Sequence, residues 1–205
     1  LHKEYRRQRQ MCIRDRFYDY HRNRIADSMF AETTAFFRHL MMENLPVSNF
    51  IDSDFAIINA DLGRHYGMPG MVKTTVKFKR VDLQGTHHRG GLLGQASVLT
   101  ASANGVDTSP VVRGIWILEN LLGTPPSPPP PDVDIPEPDA RGELNIRQLY
   151  AKHRTVESCN DCHKKIDPLG FALENFDAVG VWRTSYESKP VSYTHLRAHE
   201  TDSYL

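Results

Sequence analysis

Residues 159–163 read Cys159-Asn160-Asp161-Cys162-His163. This is C-x-x-C-H, and its spacing makes a specific chemical demand. On a helix Cys159 and Cys162 are i and i+3, so both sulfurs face one way, and each can add to a haem vinyl group as a thioether. His163 follows at once, and its imidazole can reach an iron from the side that the cysteines fix. The five residues therefore predict a helical segment carrying covalent haem c, with His163 as the iron ligand. A bare C-x-x-C also suits a redox dithiol, a structural disulfide or half of a zinc site. Zinc takes about four ligands, and no second cysteine pair is present. A thioredoxin-like dithiol belongs in a βαβ setting, which the surrounding pattern lacks.

On the C-terminal side, Leu169, Phe171, Leu173 and Phe176 supply apolar bulk suited to walling a porphyrin. Glu174 and Asp177 form a conceivable acid pair, but solvated or capping roles are the expectation. On the N-terminal side, Ile146, Leu149 and Tyr150 mark a helix over residues 145–153. Before it, residues 124–138 hold eight prolines. Such a run predicts an extended polyproline II strap. Ser109-Pro110 opens a helix, with Ser109 as N-cap and Pro110 in the first turn, and Gly123 ends it. On that helix Arg113 is expected to face outward, with pairing to a haem propionate as the alternative.

Further upstream, residues 92–103 read as a short apolar helix. His87-His88-Arg89 lies in a Gly-rich link, where solvated histidines are the expectation. Val72, Thr74, Val76 and Phe78 alternate with polar residues, predicting a strand over 72–83 without an evident partner. Asp52-Ser53-Asp54 offers a cap for a helix over 53–66, with Phe55, Ile58, Leu62 and Tyr66 as its apolar face. Ile25, Met29, Phe36 and Leu40, with Phe30, Phe37 and Met41 nearby, predict a long helix over 19–43 whose other face carries Arg22, Arg24, Asp27, Glu32 and Arg38. The two helices would form an αα-hairpin. The expected fold is mainly α: a helical cytochrome c-like module with a proline-rich strap, preceded by an αα-hairpin and one short strand.

The 205 residues carry 25 basic and 25 acidic side chains. This balance gives no nucleic-acid footprint. No apolar run is long enough for a membrane span, and the start has no signal-peptide core. Met11-Cys12-Ile13-Arg14-Asp15-Arg16 resembles a translated transposase mosaic-end sequence used in DNA library preparation. Val191 to Thr201 resembles the same adapter read from the other strand. Setting 1–16 and 191–205 aside removes seven basic and four acidic residues, leaving 18 and 21. Cys12, His195 and His199 leave with them.

Longer stretches carry a resemblance to a known family. They are Arg89-Gly90-Gly91-Leu92-Leu93-Gly94-Gln95-Ala96-Ser97-Val98-Leu99-Thr100, Thr108-Ser109-Pro110-Val111-Val112-Arg113-Gly114, Leu118-Glu119-Asn120-Leu121-Leu122-Gly123-Thr124-Pro125-Pro126, the pentapeptide, and Asp167-Pro168-Leu169-Gly170-Phe171-Ala172-Leu173-Glu174-Asn175-Phe176-Asp177. Together they resemble the planctomycete-type cytochrome c domain, the third planctomycete cytochrome family, of large multidomain bacterial proteins. The expected division is 1–16 adapter-derived or disordered, 17–85 the C-terminal part of a helical domain of unknown function, and 86–180 the cytochrome c-like domain. Residues 181–190 would begin a truncated further domain, and 191–205 would again be adapter-derived. The resemblance implies Cys159 and Cys162 as thioether sites and His163 as proximal ligand. It also implies an electron-transfer module in an exported protein, periplasmic or at the cell surface. Its partners would be the other domains of that protein and a redox partner of unknown identity.

Alternative readings are a domain of a haem-dependent oxidoreductase, or a non-haem scaffold with a Cys159–Cys162 disulfide. A complete enzyme is less expected than a module, and no catalytic residue is assigned. All six methionines precede the pentapeptide. The sixth iron ligand is therefore upstream, outside this sequence or absent, with Met68, Met71, His87, His88 and His153 as weak candidates.

Overall fold

A computed structural model describes residues 25–83, 88–103, 108–128, 157–186 and 189–190. The predicted helix over 145–153, most of the proline strap, His87, His153 and both adapter-like flanks lie outside the described residues. Among the described residues, five α-helices stand against two small two-stranded sheets, so the fold is mainly α. The chain divides into two compact units, Leu1–Asp107 with Phe176–Trp182 and Thr108–Asn175 with Arg183–Leu205.

In the first unit, α1 (Ile25–Met42) buries Ile25, Met29, Phe36 and Leu40 on one stripe, as the three-and-four spacing predicts. It ends by a Schellman closure. Asn44 adopts φ +48, Leu45 N donates to Leu40 O at 3.0 Å, and Asn44 N donates to Met41 O at 3.3 Å. Three aromatic and thioether side chains expected in the core are outside it: Phe30 is 75% exposed, Phe37 50% and Met41 66%. Glu32, expected outside, is buried. The buried stripe is thus rotated toward Ser28 and Glu32 from the one that hydrophobicity alone suggests.

The expected helix over 53–66 is two elements. Residues Phe55–Ile58 form strand β1, and Ala60–His65 form helix α2. The cap of α2 is Asn59, whose side chain accepts a hydrogen bond from Leu62 N at 3.0 Å. Asn59 also donates to Ser28 Oγ and to Thr75 O, tying α2 to α1 and to the following loop. The strand expected over 72–83 contracts to β2 (Lys79–Asp82). Its partner is β1, antiparallel, with Phe55 opposite Asp82 and Ile58 opposite Lys79. The αα-hairpin is therefore replaced by a helix and a β-α-β hairpin-like unit. Phe55, Ile58, Leu62 and Tyr66 are nevertheless all buried.

The helix expected over 92–103 is a 3₁₀ turn at Leu92–Gly94 followed by α3 (Ala96–Ala101). The segment 176–182 returns to this unit. Gly180, at φ +80, lies so close to Ala96 that an added Cβ would clash with the Ala96 Cα.

In the second unit, α4 (Pro110–Asn120) starts as expected. Ser109 Oγ accepts from Val112 N at 3.4 Å, Pro110 occupies the first position, and Gly123 follows the helix with φ +62. It packs on α5 (Glu157–Phe171), which continues through Pro168. Two glycines set the approach. A Cβ on Gly114 would strike the carbonyl of Ile166, and one on Gly170 the carbonyl of Pro110. Backbone therefore meets backbone at both places, and any side chain would push the helices apart. Ser185–Tyr186 (β3) and Lys189–Pro190 (β4) pair antiparallel beyond α5.

Candidate functional site

The N-terminal half of α5 places Cys159, Cys162 and His163 at i, i+3 and i+4, on one face of the helix. Both cysteines are free thiols and half-buried. Asp161 and Lys164 occupy the opposite, exposed side and bond each other at 2.8 Å. That hydrogen bond holds the Asp161 carboxyl below its usual range and raises the Lys164 ammonium. Charge is thus kept on the solvent side, and sulfur and imidazole on the other.

His163 is held from the next turn. Its Nδ1 lies 2.7 Å from Asp167 Oδ1, another i, i+4 relation, with the His163 side chain 15% exposed and Asp167 only 2%. The pentapeptide reading did not include Asp167. The signal was present as H-x-x-x-D on a helix. With Nδ1 turned to Asp167, Nε2 is the ring nitrogen suited to a metal. This donor set, two thiols and one oriented imidazole on one helical face, fits a thioether-linked haem. Among the described residues no group of three or more His, Cys, Asp or Glu converges as a bare-metal site.

α5 is anchored by the packing on α4 and by a buried polar brace. Arg113, expected to face outward, is fully buried. Its Nη1 donates to Leu173 O at 2.7 Å and to Glu174 Oε1 at 3.2 Å. Arg183 Nη2 donates to Glu174 Oε2 at 3.3 Å and to Thr108 Oγ1 at 2.6 Å. Thr108 Oγ1 in turn donates to Glu174 Oε2 at 2.7 Å. Burial of a lone guanidinium is too unfavourable to persist, so pairing with Glu174 is what allows Arg113 inside. Glu174 is thereby a structural anion rather than half of an acid pair. Asp177 is a turn cap, accepting from Val179 N and Val181 N at 2.9 and 2.8 Å.

The first unit contains the weak sixth-ligand candidates that are described. Met68 is buried in its core, and Met71 is 46% exposed. His88 stacks flat on Trp182, with ring centroids 4.1 Å apart. This unit also holds a polar cluster that sequence reading missed. Tyr66 Oη donates to Glu32 Oε2 at 2.5 Å and accepts from Ala96 N at 2.9 Å. Arg89 lies over the Tyr66 ring at 3.7 Å and donates to Gly94 O and Gly180 O. Burial drives the Glu32 carboxyl from 4.5 up to about 8, against the opposing pull of Tyr66 and Arg89. His65, whose Nε2 meets Val179 O at 2.8 Å, is pushed down, mainly by burial.

No helix among the described residues is long and apolar enough to cross a membrane. No curated protein and no solved structure matches the chain. Two family models do. Residues 3–68 match PSD4, a protein of unknown function (DUF1592), and this match runs through residues 3–16, which the adapter resemblance sets aside. Residues 89–186 match PSCyt3, a protein of unknown function (DUF1588), and span α3, α4, the brace and the whole of α5. Over these two stretches the chain is similar to planctomycete cytochrome-related domain families.

Proposed function

We propose that this chain carries one covalent haem c through Cys159 and Cys162, with His163 as the proximal iron ligand, and works as an electron-transfer module. The observation that carries the reading is the single helical face bearing both free thiols and an imidazole held at 2.7 Å by Asp167. Bound there, haem would supply a one-electron couple. The chain's own part is mechanical and electrostatic. Cys159 and Cys162 fix the ring's position, Asp167 fixes the tautomer of His163, and the glycine contacts to α4 hold the helix in place. The similarity to PSCyt3 supports a cytochrome reading by name. Matches to two families favour membership of a larger multidomain protein. Covalent haem maturation takes place outside the bacterial cytoplasm, so the proposed location is the periplasm or cell surface.

Expression with a c-type maturation system tests this. The expected result is one haem in the intact mass that survives denaturation, with c-type reduced-minus-oxidised bands. Cys159→Ser with Cys162→Ser should lose the covalent adduct. A folded wild-type chain without covalent haem under those conditions would refute the reading. A turnover assay on the full-length protein separates a simple carrier from a domain of a haem-dependent oxidoreductase.

A further inference from the structure

We propose that Asp167 is a positioning residue that tunes the iron: its carboxylate accepts the Nδ1 proton of His163, making the imidazole a stronger donor and favouring the oxidised state. This rests on the haem reading above and goes beyond ligand identity. A metal-bound histidine donates a hydrogen bond from its second ring N–H to some acceptor, and the acceptor's basicity sets how much electron density reaches the metal. A backbone carbonyl is a weak acceptor, whereas a carboxylate makes a stronger, charge-assisted bond. Here the acceptor is a carboxylate at 2.7 Å, on a residue only 2% exposed, where water screens little of its effect.

The local backbone does not favour an aspartate at this position. It lies one turn from the C-terminal end of α5, where the helix dipole disfavours an anion. It also precedes Pro168, and a residue before proline is disfavoured in the helical region. Both penalties are borne where the helix is pinned. Ile166 packs against Gly114, and Gly170 against Pro110, on either side of Asp167. The backbone is thus held in place on both sides of the carboxylate that faces His163.

The test uses the full chain matured with haem, titrated with a chemical reductant against a potential standard. Asp167→Asn keeps the shape and removes the charge. Asp161→Asn removes the same charge from an exposed position on the same helix and serves as control. If the carboxylate favours ferric over ferrous iron about tenfold, Asp167→Asn raises the midpoint by about 59 mV, while Asp161→Asn leaves it nearly unchanged. Equal midpoints for wild type and Asp167→Asn, with haem attached in both, overturn the proposal. Should Asp167→Asn fail to fold, nuclear magnetic resonance of the reduced wild type decides. A slowly exchanging His163 Nδ1 proton shifted far downfield supports the bond to Asp167, and its absence overturns it. A wild type without covalent haem instead removes the reading beneath, which the adduct mass reports separately.

Discussion

Glu32 makes the fold's stability respond to pH in the alkaline direction. Its carboxyl is buried and drawn up to about 8 in the folded protein, from 4.5 when exposed. Between those values the folded state holds a proton that the unfolded state has released. The associated stability is therefore fully present below 4.5 and falls as pH rises toward about 8. Each pH unit removes about 1 kcal/mol. His65 acts in the opposite sense. Its folded pKa is lowered from 6.5, so its contribution is present above 6.5 and lost as pH falls. Above 6.5 the two effects separate, and from there to about 8 Glu32 gives a loss of about 1–2 kcal/mol. Urea denaturation at closely spaced pH values measures this, with the slope in urea held common across the series. Glu32→Gln keeps an acceptor for Tyr66 Oη and removes the titration, so its stability profile should be flat over the same range. A wild-type profile that is flat or rising between pH 6.5 and 8, or a Glu32→Gln profile that keeps the fall, refutes the reasoning.

Gly170→Ala should lose about 1–3 kcal/mol on urea denaturation. Alanine's better helix propensity offsets at most about 1 kcal/mol of the clash, because the Pro110 carbonyl in its way is backbone and cannot rotate aside. Arg113→Met should be destabilised by about 1–3 kcal/mol, since it removes the partner of Glu174 Oε1 while Arg183 and Thr108 stay on Oε2. Arg64→Ala, which opens a pair on a side chain 62% exposed, should change stability by less than about 1 kcal/mol in the same assay. Replacing Phe30 and Met41 together by Ser should leave the urea midpoint nearly unchanged and raise the solubility limit, because both are exposed in α1.

What could be read from sequence follows how far apart the interacting residues lie. The pentapeptide occupies little more than one helical turn, so spacing alone places both sulfurs and the imidazole on one face. Ser109, Pro110 and Gly123 are equally local signals, and the helix they bracket appears where they put it. The helix expected over 53–66 fails for an instructive reason. Phe55, Ile58, Leu62 and Tyr66 keep helical spacing, yet the first two sit on a strand that pairs with residues 79–82. A short apolar series can satisfy two periods at once, and the ladder decides between them. Asn59, not Asp52 or Ser53, then starts the helix. Arg113 and Glu32 read as surface residues because their partners, Glu174 and Tyr66, lie 61 and 34 positions away. No window around either residue contains the group that makes burial tolerable. Asp167 falls between these cases: its spacing to His163 is local, but its burial comes from tertiary packing.

The return of residues 176–182 bears on how the polypeptide is made. The bond from His65 to Val179 spans 114 positions, and that from Arg89 to Gly180 spans 91. The other unit closes with Arg183 on Thr108, across 75 positions. Neither unit can finish as the chain emerges from its N-terminus, since both wait for the same short stretch near residue 180. Chains usually complete one domain before the next is synthesised; here completion of both is postponed to nearly the same moment. Over that interval the cysteines are already synthesised while the Glu174 brace still lacks Arg183. Cutting the gene between residues 107 and 108 would leave the first product without residues 176–182 of its own unit, and would hand those residues to the second product, whose unit does not include them.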